Sequence, residues 1–340
     1  MRSLPLDDLT LPEGWSVRAP GPPDVDDLHR VAAAHDVAAA GVSTTSRASV
    51  AAHVVGDGSS ARIHAVVTEP TGRVVGWASV HDRAAGRVIV GVSVDPGLDH
   101  AVADVVGAAL YAWAEGEGCR LAAERGLSST QLDAGAFAGD ARQHRWLAAA
   151  GYERVRTWWQ MARAVLPAEG EPGAFPDPQQ GVVVRQVVGD DGEPSGADLR
   201  AVHDVLETAF TDHFNYHEES FDEFVERQQQ EVGHAWDHWW LVEVEDGEPV
   251  GALIGERSAG GAGPDSTYVA YLGVTQAARG RGVATSLLRA VIADAASRGR
   301  DRVTLEVDAD SPTGAERLYA SMGFEQRYST ESWHRDVTCP

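Results

Sequence analysis

Val269-Ala-Tyr-Leu-Gly-Val-Thr-Gln-Ala-Ala-Arg-Gly-Arg-Gly-Val-Ala284 joins a short apolar run to a turn rich in arginine and glycine. Thr285-Ser-Leu-Leu-Arg-Ala-Val-Ile-Ala-Asp-Ala-Ala296 follows, with Leu287, Leu288, Val291, Ile292 and Ala295 at helical spacing. The pattern reads as a strand, a tight turn and the start of a helix. The first turn of a helix has unpaired N–H groups, and its aligned peptide dipoles favour negative charge there. Gly280 and Gly282 let backbone approach a phosphate, and Arg279 and Arg281 add positive charge beside Val283, Ala284 and Thr285. The stretch is an anion cradle.

The rest of the chain sets limits on what the cradle serves. At 340 residues there is room for two domains, each with its own core. With 43% hydrophobic and 23% charged residues the composition is globular, and no apolar run nears the ~20 residues of a membrane span. Met1-Arg-Ser-Leu-Pro-Leu-Asp-Asp8 lacks the apolar core of a signal peptide, so a cytoplasmic protein without a membrane partner is expected. Cys119 reads as part of a helix–strand connection and Cys339 adjoins the end of the sequence, so no structural disulfide is expected and a reducing compartment fits. A formal charge of −23 argues against a nucleic-acid partner, and it makes a local basic turn the more informative. The 28 basic residues other than histidine are all arginine, as GC-rich coding would produce.

Leu166 to Gly181 carries four prolines without hydrophobic periodicity, and residues 167–180 are expected to form a linker. The same order of elements is expected on either side of it. After the linker come a strand over Val182–Val188, helices over Asp198–Phe210 and Phe221–Glu231, and a hairpin of Trp239–Glu245 with Pro249–Gly255 around Asp246-Gly247. The opening strand and helix follow, then a strand over Arg302–Asp308, a helix over Pro312–Met322 and a last strand over Glu325–Trp333. Before the linker, a strand at Trp15–Arg18 leads to a helix at Val25–Ala40 and strands at Arg62–Thr68, Val74–His81 and Val88–Val94. A helix over Ala101–Ala114 comes next, and Trp146-Leu-Ala-Ala-Ala-Gly-Tyr152 answers Leu318-Tyr-Ala-Ser-Met-Gly-Phe324. The expected fold is α/β (α+β), two tandem domains at 1–166 and 181–340, each a mixed, mostly antiparallel sheet flanked by helices. The first copy has Pro96-Gly-Leu-Asp-His-Ala-Val-Ala103 where the second has its cradle, and Asp99 would repel a phosphate.

Arg279-Gly-Arg-Gly-Val-Ala284 matches Gln/Arg-x-x-Gly-x-Gly/Ala, and Ser311 to Phe324 resembles Asn-x-x-Ala-x-x-Leu-Tyr-x-x-x-Gly-Phe with one extra residue and serine for asparagine. By these motifs residues 181–335 resemble the GNAT superfamily of N-acetyltransferases. The two-copy layout, with the first copy eroded, resembles the tandem GNAT proteins related to mycothiol synthase. The resemblance implies acetyl-CoA as co-substrate, with its pyrophosphate on Arg279–Thr285, its pantetheine arm along Leu272, Gly273 and Val274, and its amides near Ser311. It implies a backbone N–H at Val274 or its neighbours as the oxyanion donor, and Tyr319 as general acid. The glutamate expected as base in the mycothiol enzymes is replaced by Tyr268, so that activity does not carry over.

The base itself stays open among Glu306, Asp308, Glu256 and Tyr268 acting through a water. Phe210 to Phe224, aromatic and acidic, falls where such proteins frame an amine acceptor, and equally reads as an amphipathic helix with a solvated acidic face. His213, His217, His234 and His238 lack the partners of a zinc site, so no metal is expected. The functional expectation is an N-acetyltransferase, active in its C-terminal domain as a monomer or homodimer, that acetylates a small-molecule primary amine by direct attack. The alternatives are a non-catalytic protein that senses CoA or sequesters an amine, and a protein N-terminal acetyltransferase.

Overall fold

The computed structural model describes residues 10–56, 62–83, 87–189, 191–211, 218–230, 234–244, 247–258, 264–311 and 314–339. The chain forms two compact units. One runs through Trp159 and adds Asp308–Asp310 and Tyr328–Pro340; the other comprises Gln160–Val307 and Ser311–Arg327. Neither unit is contiguous in sequence, so the boundaries 1–166 and 181–340 do not describe them.

In the first unit β1 (Ser16–Arg18), β2 (Arg62–Thr68), β3 (Val74–Arg83), β4 (Arg87–Val94), β5 (Ser129–Phe137) and β12 (Glu325–Thr338) lie side by side in that order. Only β4 and β5 pair in parallel. Helices α1 (Val25–Ala40), α2 (Arg47–Val55), α3 (His100–Glu124) and α4 (Ala141–Ala149) flank the sheet. Alternation builds it: Val88, Val90, Val92 and Val94 all point from β4 into one core with Val106, Leu110 and Trp113 of α3.

The second unit repeats this plan. β7 (Val183–Gln186), β8 (Trp239–Val244), β9 (Glu248–Ser258), β10 (Ser266–Val274) and β11 (Arg302–Asp308) are neighbours in that order, followed by residues 160–164 of β6 (Glu153–Ala164). Again one pair, β10 with β11, is parallel. Helices α5 (Gly196–Phe210) and α6 (Phe221–Gln230) share a core with Trp239, Leu241, Ala252 and Ile254 on one sheet face, while α7 (Val283–Ser297) covers Gly251 on the other. Helix α8 (Ala315–Ser321) precedes β12.

The helix at Val25–Ala40 and the strands at Arg62–Thr68 and Arg302–Asp308 form over the residues expected. The hairpin of β8 and β9 also forms, although Glu245 and Asp246 of its turn lie outside the described residues. Helix α2 and strands β5 and β6 were not anticipated. Helix α3 runs ten residues past Ala114, and within that extension Gly118 is a point of close approach: a Cβ on it would come within 2.5 Å of Leu132. The Pro-rich stretch packs within the second unit as a single 3-10 turn, Pro167–Gly170, with Gly170 close against Ser297 of α7.

The last strand does not end at Trp333. It continues to Thr338, and Thr330–Thr338 pair with Ser129–Phe137 of β5. That extension overturns the reading of the cysteines. Cys119 lies buried inside α3, the Cys339 N–H donates to the Ser128 carbonyl, and the two sulfurs form a disulfide with Cα atoms 5.1 Å apart. Cysteine usage therefore no longer argues for a reducing compartment. Joining residues 220 apart in sequence restricts the unfolded chain strongly. Cys339→Ser is expected to lower the unfolding free energy by about 2–4 kcal/mol, and dithiothreitol to do the same to the parent protein while leaving the variant unchanged. Urea unfolding with and without reductant measures this; coincident curves would mean the bond adds no stability. Among the described residues no helix is long and apolar enough to cross a membrane.

Candidate functional site

Strand β10 meets β11 over three positions only, from Thr267↔Val303 to Val269↔Leu305, while on its other side it follows β9 to Val274↔Gly251. A bulge at Ala270 marks the point of divergence. Beyond it the β11-facing edge of β10 is open. Which groups line that edge follows from one bond: the Thr275 N–H donates to the Val250 carbonyl at 2.9 Å. Thr275 therefore faces β9, and so by alternation does Gly273, while the N–H and C=O groups of Leu272 and Val274 face the open wedge. Leu272 and Val274 can bond an extended ligand there as an added strand would. Gly273 cannot, and its role is different. A Cβ on it would come within 2.9 Å of Leu206 and 3.0 Å of Ala209, so it lets α5 approach the sheet.

The wedge leads into the cradle. After a 3-10 turn, Gln276–Ala278, Arg279 is exposed, and Gly280 and Gly282 take φ of 80° and 76°, in the left-handed region. Gly282 caps α7, no side chain caps its first turn, and the Ser286 N–H is the first to donate back into the helix, to Gly282. The N–H groups of Val283, Ala284 and Thr285 thus have no partner within the helix and point out of its end, the arrangement that can hold an anion. Arg279 and Arg281 form no ion pair with any described residue. Gln179 of the Pro-rich stretch also reaches the cradle: its Nε2 is 3.2 Å from where a Gly282 Cβ would stand. Nothing in its sequence context signals that position.

Tyr319 projects from α8 and is buried, edge-to-face with Phe324 at 5.9 Å. Burial pushes its phenol up to about 12, so it is protonated at neutral pH. Ser311 is half-buried before α8, its carbonyl accepting the Gly314 N–H at 3.2 Å.

The candidate bases separate. Register places Glu256, Tyr268 and Thr304 abreast on β9, β10 and β11, and Glu306 lies two residues along from Thr304 on the same face. On β9 that face continues through Ile254 and Ala252 beneath α5 and α6. Glu306 is exposed and accepts a hydrogen bond from Gln160. Asp308, expected beside it, is instead buried; it accepts the Asp310 N–H at 2.9 Å and pairs with Arg156 at 3.7 Å, as a structural carboxylate does.

Residues 212–217 of the expected acceptor region, with His213 and His217, lie outside the described residues. Around them, His203, Asp204, Glu207, Thr208 and Thr211 of α5 and its end face Glu218 and Glu219 across an open groove of about 390 Å³. Burial opposes charge on His203, but the Asp204 carboxylate at 2.9 Å and the Glu219 carbonyl raise its pKa above the ordinary value. Arg227 of α6 donates to both Glu219 carboxylate oxygens at 2.8 Å and to the Tyr271 hydroxyl at 3.1 Å, which ties α6 to β10. His234 packs on Trp236, and His238 bonds Asp237 and Arg300. Among the described residues no group of histidine, cysteine or carboxylate side chains is arranged to hold a metal ion.

Residues 199–324 match the acetyltransferase (GNAT) family. The chain is similar to mycothiol acetyltransferase of Beutenbergia cavernae, 27% identical over 271 residues that cover 77% of this chain and 80% of the relative. Among solved structures it resembles a GCN5-related N-acetyltransferase from Sphaerobacter thermophilus, with a TM-score of 0.76 and 26% identity over 97% of this chain and 98% of the other. A tandem GNAT protein from the clavulanic acid biosynthesis pathway shares the two-domain fold, with a TM-score of 0.66 and 15% identity over 95% and 98% of the two chains.

Proposed function

We propose that this acyltransferase, which belongs through residues 199–324 to the GNAT family, transfers an acetyl group from acetyl-CoA to a small-molecule primary amine within its second unit. The observation that carries the reading is the open wedge of Leu272 and Val274 running into an uncapped helix end between Arg279 and Thr285. The wedge suits the amide-bearing arm of acetyl-CoA and the cradle suits its pyrophosphate. The amine nitrogen attacks the thioester carbonyl, and an open-edge N–H of Val274 or Leu272 stabilises the oxygen as charge builds on it. The carbon–sulfur bond breaks, the Tyr319 phenol donates to the leaving thiolate, and the amine proton passes to Glu306, Glu256 or a water held by Tyr268. No covalent enzyme intermediate is needed.

The acidic groove between α5 and the start of α6 supports an acceptor that is cationic in solution. Thiol release from acetyl-CoA in the presence of a mixed library of polyamines, amino sugars and amino-acid amides tests the reading, with the acetylated product identified by mass. At least one amine is expected to raise thiol release well above the hydrolytic background. Acetyl-CoA that binds without turnover for any amine would refute the transferase reading and favour a sensor.

A further inference from the structure

The two units repeat hydrogen bonds as well as strands. The Asp95 N–H donates to Val75 at 2.8 Å as Thr275 does to Val250, and the Leu98 N–H donates to Asp95 as Ala278 does to Thr275. Gly76 faces Val106 and Leu110 where Gly251 faces Val283 and Leu287. These anchors equate Asp95 with Thr275 and Val106 with Val283. Seven residues separate the pair in the second unit and ten in the first, where α3 begins at His100, six residues before Val106. About 9 Å of helix therefore stands where the second unit has its Arg/Gly turn.

The wedge is repeated too, but it is not empty. Strands β4 and β5 pair from Arg87↔Gln131 to Val90↔Ala134 and then part, and the Asp95–Val75 bond puts the groups of Val92 and Val94 on the open edge. These correspond to Leu272 and Val274. Into this wedge reaches Gln143 of α4, only 4% exposed. Its Nε2 donates to the Gly135 carbonyl at 3.1 Å, and at 3.5 Å to the Val92 carbonyl and the Tyr111 hydroxyl. Two facing carbonyls fix which end of the amide is the nitrogen, and Oε1 is left buried without a partner. By the match of Trp146–Tyr152 with Leu318–Phe324, the second unit has Ala315 in this place, and Leu147 in the first unit stands for Tyr319.

We propose that Gln143 is a built-in occupant of the first unit's acyl-carrier wedge, its carboxamide bonding both parted strands as the amide of an acyl-CoA arm would. The first unit is thereby closed to CoA, and the chain binds a single equivalent. This rests on reading the second unit's wedge as the acyl-CoA site.

Calorimetric titration of the full chain with CoA is expected to give one equivalent, and hydrogen exchange to slow on binding at residues 271–286 but not at 91–98. A second equivalent, or slowing at 91–98, overturns the proposal. If CoA does not bind at all, it is the reading of the second unit that fails, and Gln143 is judged by its own variant. Gln143→Gly leaves the carbonyls of Gly135 and Val92 unpaired, so its melting midpoint is expected to fall by about 5 °C, and acetamide to restore about half of that loss without raising the parent's midpoint. Gln143→Ala is read in the same way if the glycine variant does not accumulate. A variant that melts with the parent, or an acetamide response common to both, overturns the proposal.

Discussion

Gly282→Asp is expected to raise the dissociation constant for acetyl-CoA by about 10²–10³, close to abolishing binding. Two effects combine at this position. The backbone sits at φ 76°, where a residue with a Cβ is disfavoured by about 1–2 kcal/mol. The new Cβ also stands 3.2 Å from the Gln179 amide, which must swing aside. The larger effect is electrostatic. A carboxylate at the cap of α7 adds a negative charge beside any phosphate bound there, and two unit charges about 4 Å apart repel by about 4 kcal/mol near a protein surface. Gly282→Asn separates the two, because asparagine has nearly the same shape, tolerates left-handed backbone and carries no charge. Asparagine is expected to weaken binding about tenfold, and aspartate by a further factor of ten or more that shrinks as salt is added. Equal affinity for the two variants would mean that no phosphate lies at this helix end. Calorimetry with acetyl-CoA, with circular dichroism to establish folding, decides it.

That the cradle could be read from sequence at all follows from how local it is. Valine and leucine at helical spacing set the face of α7, and glycines at 280 and 282 meet a need for left-handed backbone within four residues of chain. The wedge is less local. Which of Leu272, Gly273 and Val274 face it depends on the Thr275–Val250 bond between strands, so sequence named all three and only the register separates them. What failed was longer in range still. The pairing of β12 with β5, and with it the Cys119–Cys339 bond, joins residues roughly two hundred positions apart, and no periodicity encodes such a partner. The end of α3 was placed ten residues early, at Ala114, and the close contact of Gly118 with Leu132 inside the missed part joins residues that local spacing does not relate. Gln143 gave no signal because an amphipathic helix tolerates glutamine on any face. The carboxylates divided once burial was known: two residues along one strand, Glu306 is exposed and Asp308 is locked into a turn.

Tyr319→Phe is expected to lower kcat by about 10²–10³ and to leave the KM for acetyl-CoA within about twofold, since a proton donated only as the carbon–sulfur bond breaks contributes nothing to ground-state binding. Loss of fold is a weak rival explanation. The hydroxyl bonds no described residue, so removing it breaks no hydrogen bond to them and is expected to leave the melting midpoint unchanged. The pH dependence gives a second readout. A phenol raised to about 12 by burial keeps its proton throughout the range in which the protein can be assayed. The alkaline side of the parent's kcat profile should therefore stay level to about pH 10, with any acid-side fall arising from the base and surviving in Tyr319→Phe. Such a phenol is a weak acid in water, but a thiolate leaving beside it is subject to the same desolvation, which raises the thiol's pKa and narrows the gap between donor and acceptor. Single-turnover measurements are needed, because slow product release would mask the loss. Unchanged single-turnover rates would remove Tyr319 from the chemistry and leave it as a packing residue beside Phe324.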